Sequence, residues 1–142
     1  MKIHESFYTA WTPRILGILR MVIGFLFLQH GMAKLFGVPH IAMFDGLKLF
    51  SLLGLAGVLE LAGGLLILVG LFTRPTAFIL SGEMAVAYFM AHAPHGFLPI
   101  LNQGELAVVY CFAFLYFSVA GAGSFSIDAV CCKNCNDKKP GE

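Results

Sequence analysis

Residues 57–75, GVLELAGGLLILVGLFTRP, decide the class of fold, and Glu60 is the one acidic residue among them. They belong to an apolar run over about residues 50–72. About 20 mostly apolar helical residues cross the ~30 Å hydrocarbon core of a bilayer. The stretch therefore predicts a membrane-spanning helix that ends at a structural turn around Arg74, because Pro75 cannot continue a helix interior but suits a first helical turn.

The composition of the whole chain supports the same prediction. Of its 142 residues, 58% are hydrophobic and 12% are charged, against roughly 45–50% and about 25% in soluble domains. A chain of this size buries only about two thirds of its unfolded surface, so it cannot hide this much apolar surface in water. Disorder, a disulfide-rich secreted module and an ordinary cytosolic enzyme are therefore excluded. A net charge of +1 also gives no basic footprint for nucleic acid.

Three further segments have a similar apolar character, namely residues 14–35, 76–93 and 105–121. In lipid the backbone must satisfy its own hydrogen bonds, so these segments are expected to be helical. The predicted fold is all-α, an integral membrane bundle of four transmembrane helices.

The predicted division of the chain has three parts. They are a cytoplasmic N-terminal segment at residues 1–13, the four-helix domain at residues 14–123, and a cytoplasmic tail with cysteines at residues 124–142.

The distribution of lysine and arginine predicts the orientation. With four spans both termini lie on one side, which then carries Lys2, Arg14, Arg20, Arg74, Lys133, Lys138 and Lys139. The other side carries only Lys34 and Lys48. Cationic residues concentrate on cytoplasmic loops. A multi-pass protein of the bacterial plasma membrane with both termini in the cytoplasm is therefore expected.

Glycines recur every seven residues in the first predicted span, at Gly17, Gly24 and Gly31. Seven residues are close to two helical turns, so these glycines lie in one narrow stripe. Gly57 and Gly64 flank the acidic residue of the second span. Small residues let membrane helices approach closely, so these faces are expected to pack together.

Three charged residues lie well inside the predicted spans, away from their ends: Arg20, Glu60 and Glu83. Charges in a bilayer usually face a bundle interior or a wet cavity, and an isolated carboxylate there is expected to be protonated. Arg20 and Glu83 are expected at similar depth, so Arg20 is expected to pair with one or both glutamates. The group is either an ion pair that fixes helix register or a polar pocket for a ligand or proton, and both can hold together. All three are candidate catalytic residues.

A second polar group is expected towards the outer face of the membrane. Its candidate ligand-binding residues are His30, Lys34, His92, Asn102 and Glu105. Such residues suit a quinone head group, whose carbonyl oxygens accept hydrogen bonds while aromatic side chains surround the ring. Histidines and carboxylates also bind metals. Neither H-x-x-x-H nor H-E-x-x-H spacing occurs, so no metal site is predicted.

The cysteines form a second motif. Cys111 lies in the fourth span and is expected to be packing, while Cys131, Cys132 and Cys135 give a C-C-x-x-C run in the tail. A C-x-x-C can be a redox pair or half of a zinc site, but one chain offers no second pair. An incidental polar tail is the simplest interpretation, with a metal shared in an oligomer or thiol redox chemistry as alternatives.

The order of several segments resembles the DoxX family of small four-span bacterial membrane proteins. The matching segments are LGILRMVIG at 16–24, HGMAKL at 30–35, the quoted stretch at 57–75, NQGE at 102–105 and GAGSFSIDA at 121–129. The resemblance covers about residues 14–130. The family-like polar positions are Arg20, Lys34, Glu60, Arg74, His92, Asn102 and Glu105. The cysteine tail and the long N-terminal stretch depart from the family pattern.

The resemblance implies a function near quinones. The family takes its name from a subunit associated with archaeal quinol-oxidising or thiosulfate:quinone-reducing complexes, and some bacterial members are linked to oxidative-stress defence. The leading hypothesis is therefore a quinone-linked redox or oxidative-stress-related membrane subunit, at most an oxidoreductase subunit acting with a partner. In it Glu60 or Glu83 moves a proton, Arg20 tunes that acid by pairing with it, and Lys34 and His92 donate hydrogen bonds to the quinone.

Two alternatives stay open at this stage. One is a non-enzymatic membrane scaffold or assembly subunit for a soluble redox enzyme, in which the ion pairs are structural. The other is a small transporter built as a homo-oligomer. In each case the lipid bilayer is the immediate partner, no cofactor is bound covalently, and nucleic acid is not expected.

Overall fold

The computed structural model describes the backbone of residues 2–136 and the side chains of residues 6–131. The described chain is helical and contains no strand, which confirms the predicted all-α class. Its α-helices are α1 (Lys2–Phe36), α2 (Leu52–Val69), α3 (Thr73–Ala87), α4 (Pro99–Asn102), α5 (Glu105–Ala120) and α6 (Ile127–Asn136).

Two of these helices are long and apolar enough to cross a membrane. They are Ser6–Phe36 within α1, with a mean hydropathy of 1.7, and Leu52–Val69, with 2.3. Glu105–Ala120 is apolar but shorter. The helix α3 continues through a π-helical turn at Tyr88–His92, and at 1.5 Å per residue the combined helix is about 30 Å long.

The structure places no boundary at residue 13. The helix α1 begins at Lys2 and continues without a break past Pro13, so the predicted N-terminal segment forms the first turns of α1. At the other end, Ser124 donates its amide to the carbonyl of Pro13 at 2.8 Å. The start of the predicted tail therefore packs against α1.

The helices α1 and α2 are antiparallel and in near contact along the predicted glycine stripe. A Cβ added at Gly24 would lie 2.7 Å from the amide nitrogen of Leu68, and one added at Gly31 would overlap the backbone of Leu61. Moving along α1 from Gly24 to Gly31 thus moves back along α2 by seven residues. This antiparallel register decides which polar residues meet.

The short connection between α2 and α3 lies at residues 70–72, just before the turn predicted around Arg74, because α3 already begins at Thr73. The helix α2 ends at Gly70, whose φ of 70° suits glycine. The first amides of α3 are then capped from a distant segment: Asp128 accepts the amides of Phe72 and Thr73, both at 2.9 Å. The amide of Asp128 in turn donates to the carbonyl of Gly70 at 2.9 Å. The segment after α5 therefore holds the α2–α3 turn in place.

Aromatic side chains fill the core between the four long helices. Phe27, Phe114 and Phe117 are fully buried, together with Ile67 and Leu80. The rings of Phe27 and Phe114 meet edge to face, with centroids 4.8 Å apart. This packed layer lies next to the polar residues described below, and Phe27 contacts the same cavity as they do.

Candidate functional site

A cavity of about 460 Å³ lies among α1, α2, α3 and α5. We call it the central cavity. Its polar lining residues are His30, Lys34, Glu60, His92, Gln103 and Tyr110. Apolar side chains, including the rings of Phe27 and Phe44, complete the wall. The cavity is thus apolar in outline with a few convergent polar groups, which is typical of small-molecule sites.

The ion pair between Lys34 and Glu60 is the main charged feature of this cavity. The ammonium of Lys34 lies 2.5 Å from Oε1 of Glu60, and the side chains are 11% and 4% exposed. The glycine positions explain how the pair forms, because α1 and α2 approach closely at Gly31 and Gly57 beside it. The second oxygen of Glu60, Oε2, is buried and has no hydrogen-bond partner among the described residues.

A second cavity of about 310 Å³ adjoins this pair between α2 and α3. We call it the α2–α3 cleft. It shares Lys34 and Glu60 with the central cavity, and apart from those two residues and Glu83 its lining is apolar. Both carboxyl oxygens of Glu83 are buried without a partner among the described residues. Three carboxyl oxygens at this junction therefore lack a hydrogen-bond partner among the described residues.

The predicted pairing of Arg20 with a glutamate is wrong. Arg20 is fully buried, and among the described residues the hydrogen-bond partners of its guanidinium are all backbone carbonyls. These carbonyls belong to Ile67, Leu68, Ala122 and Phe125. They include the end of α2, where cationic side chains satisfy carbonyls that lack intrahelical partners.

The predicted common depth of Arg20 and Glu83 is also wrong. Arg20 lies beside Ile67 and Leu68, whereas Glu83 lines the α2–α3 cleft with Glu60. Seven or eight residues of helix separate these levels, which is about 11 Å. Arg20 therefore lies outside the site that contains the glutamates. The ion pair with Glu60 that was expected of Arg20 is formed by Lys34 instead.

The predicted outer residues divide into two groups. His30 and His92 line the central cavity with Lys34, and the ring of His30 lies 6.0 Å from that of Tyr110. Nδ1 of His92 is 3.1 Å from the carbonyl oxygen of Asn102, which orients this imidazole. Part of the cluster expected near the outer face and one of the acids expected deeper, Glu60, therefore line the same cavity.

Asn102 and Glu105 are not among the residues that line the central cavity. The side chain of Asn102 is used by its own loop, since Oδ1 accepts the amide of Gly104 at 2.8 Å and Nδ2 donates to Gly96 and Tyr88. Glu105 is exposed in the first turn of α5, where an acidic side chain suits the positive end of the helix dipole. The geometry supports a structural role for both residues.

Arg74, predicted as a turn residue, lies in the first turn of α3 and contacts the end of α5. Its guanidinium donates to the carbonyls of Ser118 and Val119. Arg20 and Arg74 thus perform the same task at the ends of two helices. The difference is exposure, because Arg74 is exposed and Arg20 is not.

One contributor to the site was missed at the level of sequence. Tyr110 is buried and lines the central cavity. The spacing of Tyr110 from Ala107, Phe114 and Phe117 could have identified it, since these residues form one buried helical face. Gln103, which lies in the family-like segment NQGE before α5, also lines the cavity.

The described residues include neither a candidate metal site nor a disulfide. Within the part of the chain that is described, no group of three or more histidine, cysteine or acidic residues could hold a metal ion. Cys111 and Cys131 are free thiols, and Cys131 is exposed. The side chains of Cys132 and Cys135 lie outside the described residues.

Comparison with known proteins identifies the family. The sequence profile of the DoxX family matches residues 15–93, which contain most of α1, all of α2 and α3, and the Lys34–Glu60 pair. The chain belongs to the DoxX family. An uncharacterized protein of Haemophilus influenzae is 46% identical to this DoxX protein over 123 residues, covering 83% of the chain and 91% of the relative. No solved structure matches the chain. Family and apolar helices together make it a DoxX-family membrane protein.

Proposed function

We propose that this DoxX protein crosses the bacterial inner membrane four times, with both termini in the cytoplasm, and binds a quinone head group in the central cavity. It then acts as a membrane subunit in quinone-linked redox or oxidative-stress chemistry, with electrons supplied by a partner enzyme. The observation that carries the proposal is the buried Lys34–Glu60 pair in a ligand-sized cavity, with Oε2 of Glu60 unpartnered among the described residues.

The size and lining of the central cavity support a ring-shaped ligand. Its volume of about 460 Å³ falls within the roughly 300–1,000 Å³ of small-molecule sites. Phe27 and Tyr110 offer ring faces and edges, and their centroids are 5.1 Å apart. An aromatic ligand can pack against such side chains with a specific geometry.

The polar groups support recognition of both redox forms of a quinone. The ammonium of Lys34 has three donors and uses one on Glu60, so it can also donate to a carbonyl oxygen. The carboxylate oxygen Oε2 of Glu60 can accept from a hydroxyl group. Nδ1 of His92 donates to the carbonyl of Asn102, so Nε2 of the neutral ring is an acceptor and not the donor expected from the sequence. The proposed site therefore offers the Lys34 ammonium as a donor and the side chains of Glu60 and His92 as acceptors.

Quinone reduction takes up protons with electrons, and the chain offers carboxyl groups for holding a proton. Glu60 and Glu83 both line the α2–α3 cleft, each has a buried oxygen without a partner among the described residues, and Glu60 also lines the central cavity. A general acid must lie within hydrogen-bond reach of the group it protonates. In this proposal Glu60 is therefore the acid that exchanges a proton with the ligand, and Glu83 supplies a proton to Glu60. Arg20 has no part in this proposal.

Mass spectrometry of organic extracts tests the proposal. Wild type, Glu60→Gln and Glu83→Gln are purified in mild detergent and compared at matched protein and lipid. Asp45→Asn is the matched control, because Asp45 is an exposed carboxylate in the loop before α2. We expect near-stoichiometric quinone in wild type and control, and loss from Glu60→Gln.

The second variant guards against misfolding. Removing one partner of a buried ion pair is itself destabilising, whereas Glu83→Gln leaves the Lys34–Glu60 pair intact. Reduced quinone in a folded Glu83→Gln protein therefore supports the pocket. Quinone in wild type no higher than in bulk lipid would overturn the proposal, and a non-enzymatic scaffold for a redox enzyme would then be favoured.

A further inference from the structure

The α2–α3 cleft has two distinct ends. At its inner end it meets the central cavity, since both are lined by Lys34, Glu60, Met84 and Ala87. At its outer end lie exposed apolar side chains of both helices, among them Leu55, Ile79 and Val86, each more than half exposed. The cleft therefore lies between the polar site and the exposed lateral surface of the bundle.

Gly82 marks the open part of this cleft. It lines the cleft in the middle of α3, and a Cβ added there would meet no atom within 4 Å. The glycines at 24, 31, 63 and 64 differ, because at each of them another residue lies closer than 3 Å to the added Cβ. Glycine in a helix interior is unfavourable without a packing reason. No protein atom fills the space beside Gly82, so packing against the rest of the chain does not explain a glycine at this helical position.

We infer that the α2–α3 cleft is a lateral opening that holds the apolar tail of the ligand while its head group occupies the central cavity. The inference rests on the proposed function and narrows it to lipid-soluble ligands with a long, unbranched or prenyl-like tail. The lining that the two cavities share at the Lys34–Glu60 pair carries it. A head group at that pair would have the apolar cleft, with Leu55 and Ile79 in its lining, beside it for the tail.

A variant that fills the cleft tests this inference better than a comparison of tailed and tailless ligands on the wild-type protein alone. A tail is as well solvated by lipid as by the cleft, so its burial adds little to affinity. Filling the cleft, in contrast, excludes a tail and leaves the central cavity unchanged. Gly82→Leu adds bulk where the structure has room. Ala62→Leu is the matched control, since Ala62 is exposed on α2 and lines neither cavity.

The experiment measures binding of two probes to the full-length protein in nanodiscs. One is a methylated benzoquinone without a tail, and the other is the same ring with a decyl chain. We expect both to bind wild type and Ala62→Leu. Gly82→Leu should bind the tailed probe roughly tenfold more weakly, because the added side chain and the tail would compete for the same space. Its affinity for the tailless probe should be unchanged. The amphiphiles that co-purify with each variant are recorded in parallel by mass spectrometry.

Each outcome decides one of the two claims. Unchanged binding of both probes to Gly82→Leu would overturn the lateral opening and leave the quinone proposal standing. Equal weakening of both probes would also overturn it, because the substitution would then act on the head-group site. If neither probe binds wild type, the quinone proposal fails. An amphiphile that is retained by wild type and Ala62→Leu but lost from Gly82→Leu would then still support the opening, and no such amphiphile would overturn it.

Discussion

Lys34 and Glu60 form an ion pair of 2.5 Å across the close approach of α1 and α2, and both side chains are nearly inaccessible. Each residue compensates a charge that would be costly to bury alone. The pair also opposes sliding of α1 along α2, because any shift in register would separate the two groups. A structural role and a ligand-binding role therefore meet in the same residues.

The first prediction concerns the stability of this pair. Lys34→Met should lower the free energy of unfolding by about 3–5 kcal/mol, because it leaves Glu60 buried without its partner. The double variant Lys34→Met with Glu60→Leu should recover most of that loss, since neither member of the pair is then left as a buried charge without its partner. Thermal unfolding in one detergent measures both, with Lys48→Met as the exposed control. A double variant as unstable as the single one would contradict this account.

Much of the fold could be predicted from the sequence because it depends on local properties. Hydropathy located α1 and α2, and Pro75 marked the α2–α3 turn. The seven-residue glycine spacing identified the face on which the two helices meet. Each of these signals is carried by residues close together in the chain, so no knowledge of the packing was needed.

The candidate site was predicted less well because it depends on register between helices. The sequence showed that Arg20, Lys34 and Glu60 are polar residues in or near spans, but not which of them lie opposite. Antiparallel packing places Lys34 beside Glu60 and Arg20 beside the end of α2. Asp128 shows the same limit, since its partners Phe72 and Thr73 are far away in the sequence.

The second prediction separates structure from catalysis at Arg20. Arg20→Met removes hydrogen bonds to four backbone carbonyls, each worth about 1.5–3 kcal/mol when the donor is charged. We expect a loss of unfolding free energy of about 3 kcal/mol or more, with Arg20→Lys intermediate because an ammonium has no planar fork. Quinone bound per folded molecule should be unchanged. A folded Arg20→Lys protein that has lost its quinone would show that Arg20 acts on the ligand.

The third prediction concerns the cap that Asp128 provides for α3. Asp128→Ala should cost about 1 kcal/mol of stability, as for other lost helix caps. Asp128→Asn should cost less, because one side-chain oxygen can still accept an amide. Hydrogen exchange of the Phe72 and Thr73 amides is the direct measurement, and both should exchange faster in Asp128→Ala. The substitution Asp45→Ala, in an exposed loop, should leave these two amides as slow as in wild type, and equally slow exchange in Asp128→Ala would contradict the cap.

The fourth prediction compares two glycines that differ only in their neighbours. Gly31→Ala places a methyl group against the backbone of Leu61, so it should separate α1 from α2 and cost about 1–3 kcal/mol. Gly82→Ala places the same group in open space and should stabilise the protein by about 0.5–1 kcal/mol through helix propensity alone. Unfolding of both variants in the same detergent provides the comparison. Because the chemical change is identical, the close approach of α1 and α2 at Gly31 predicts opposite signs, and equal effects would show that the two helices are not in contact there.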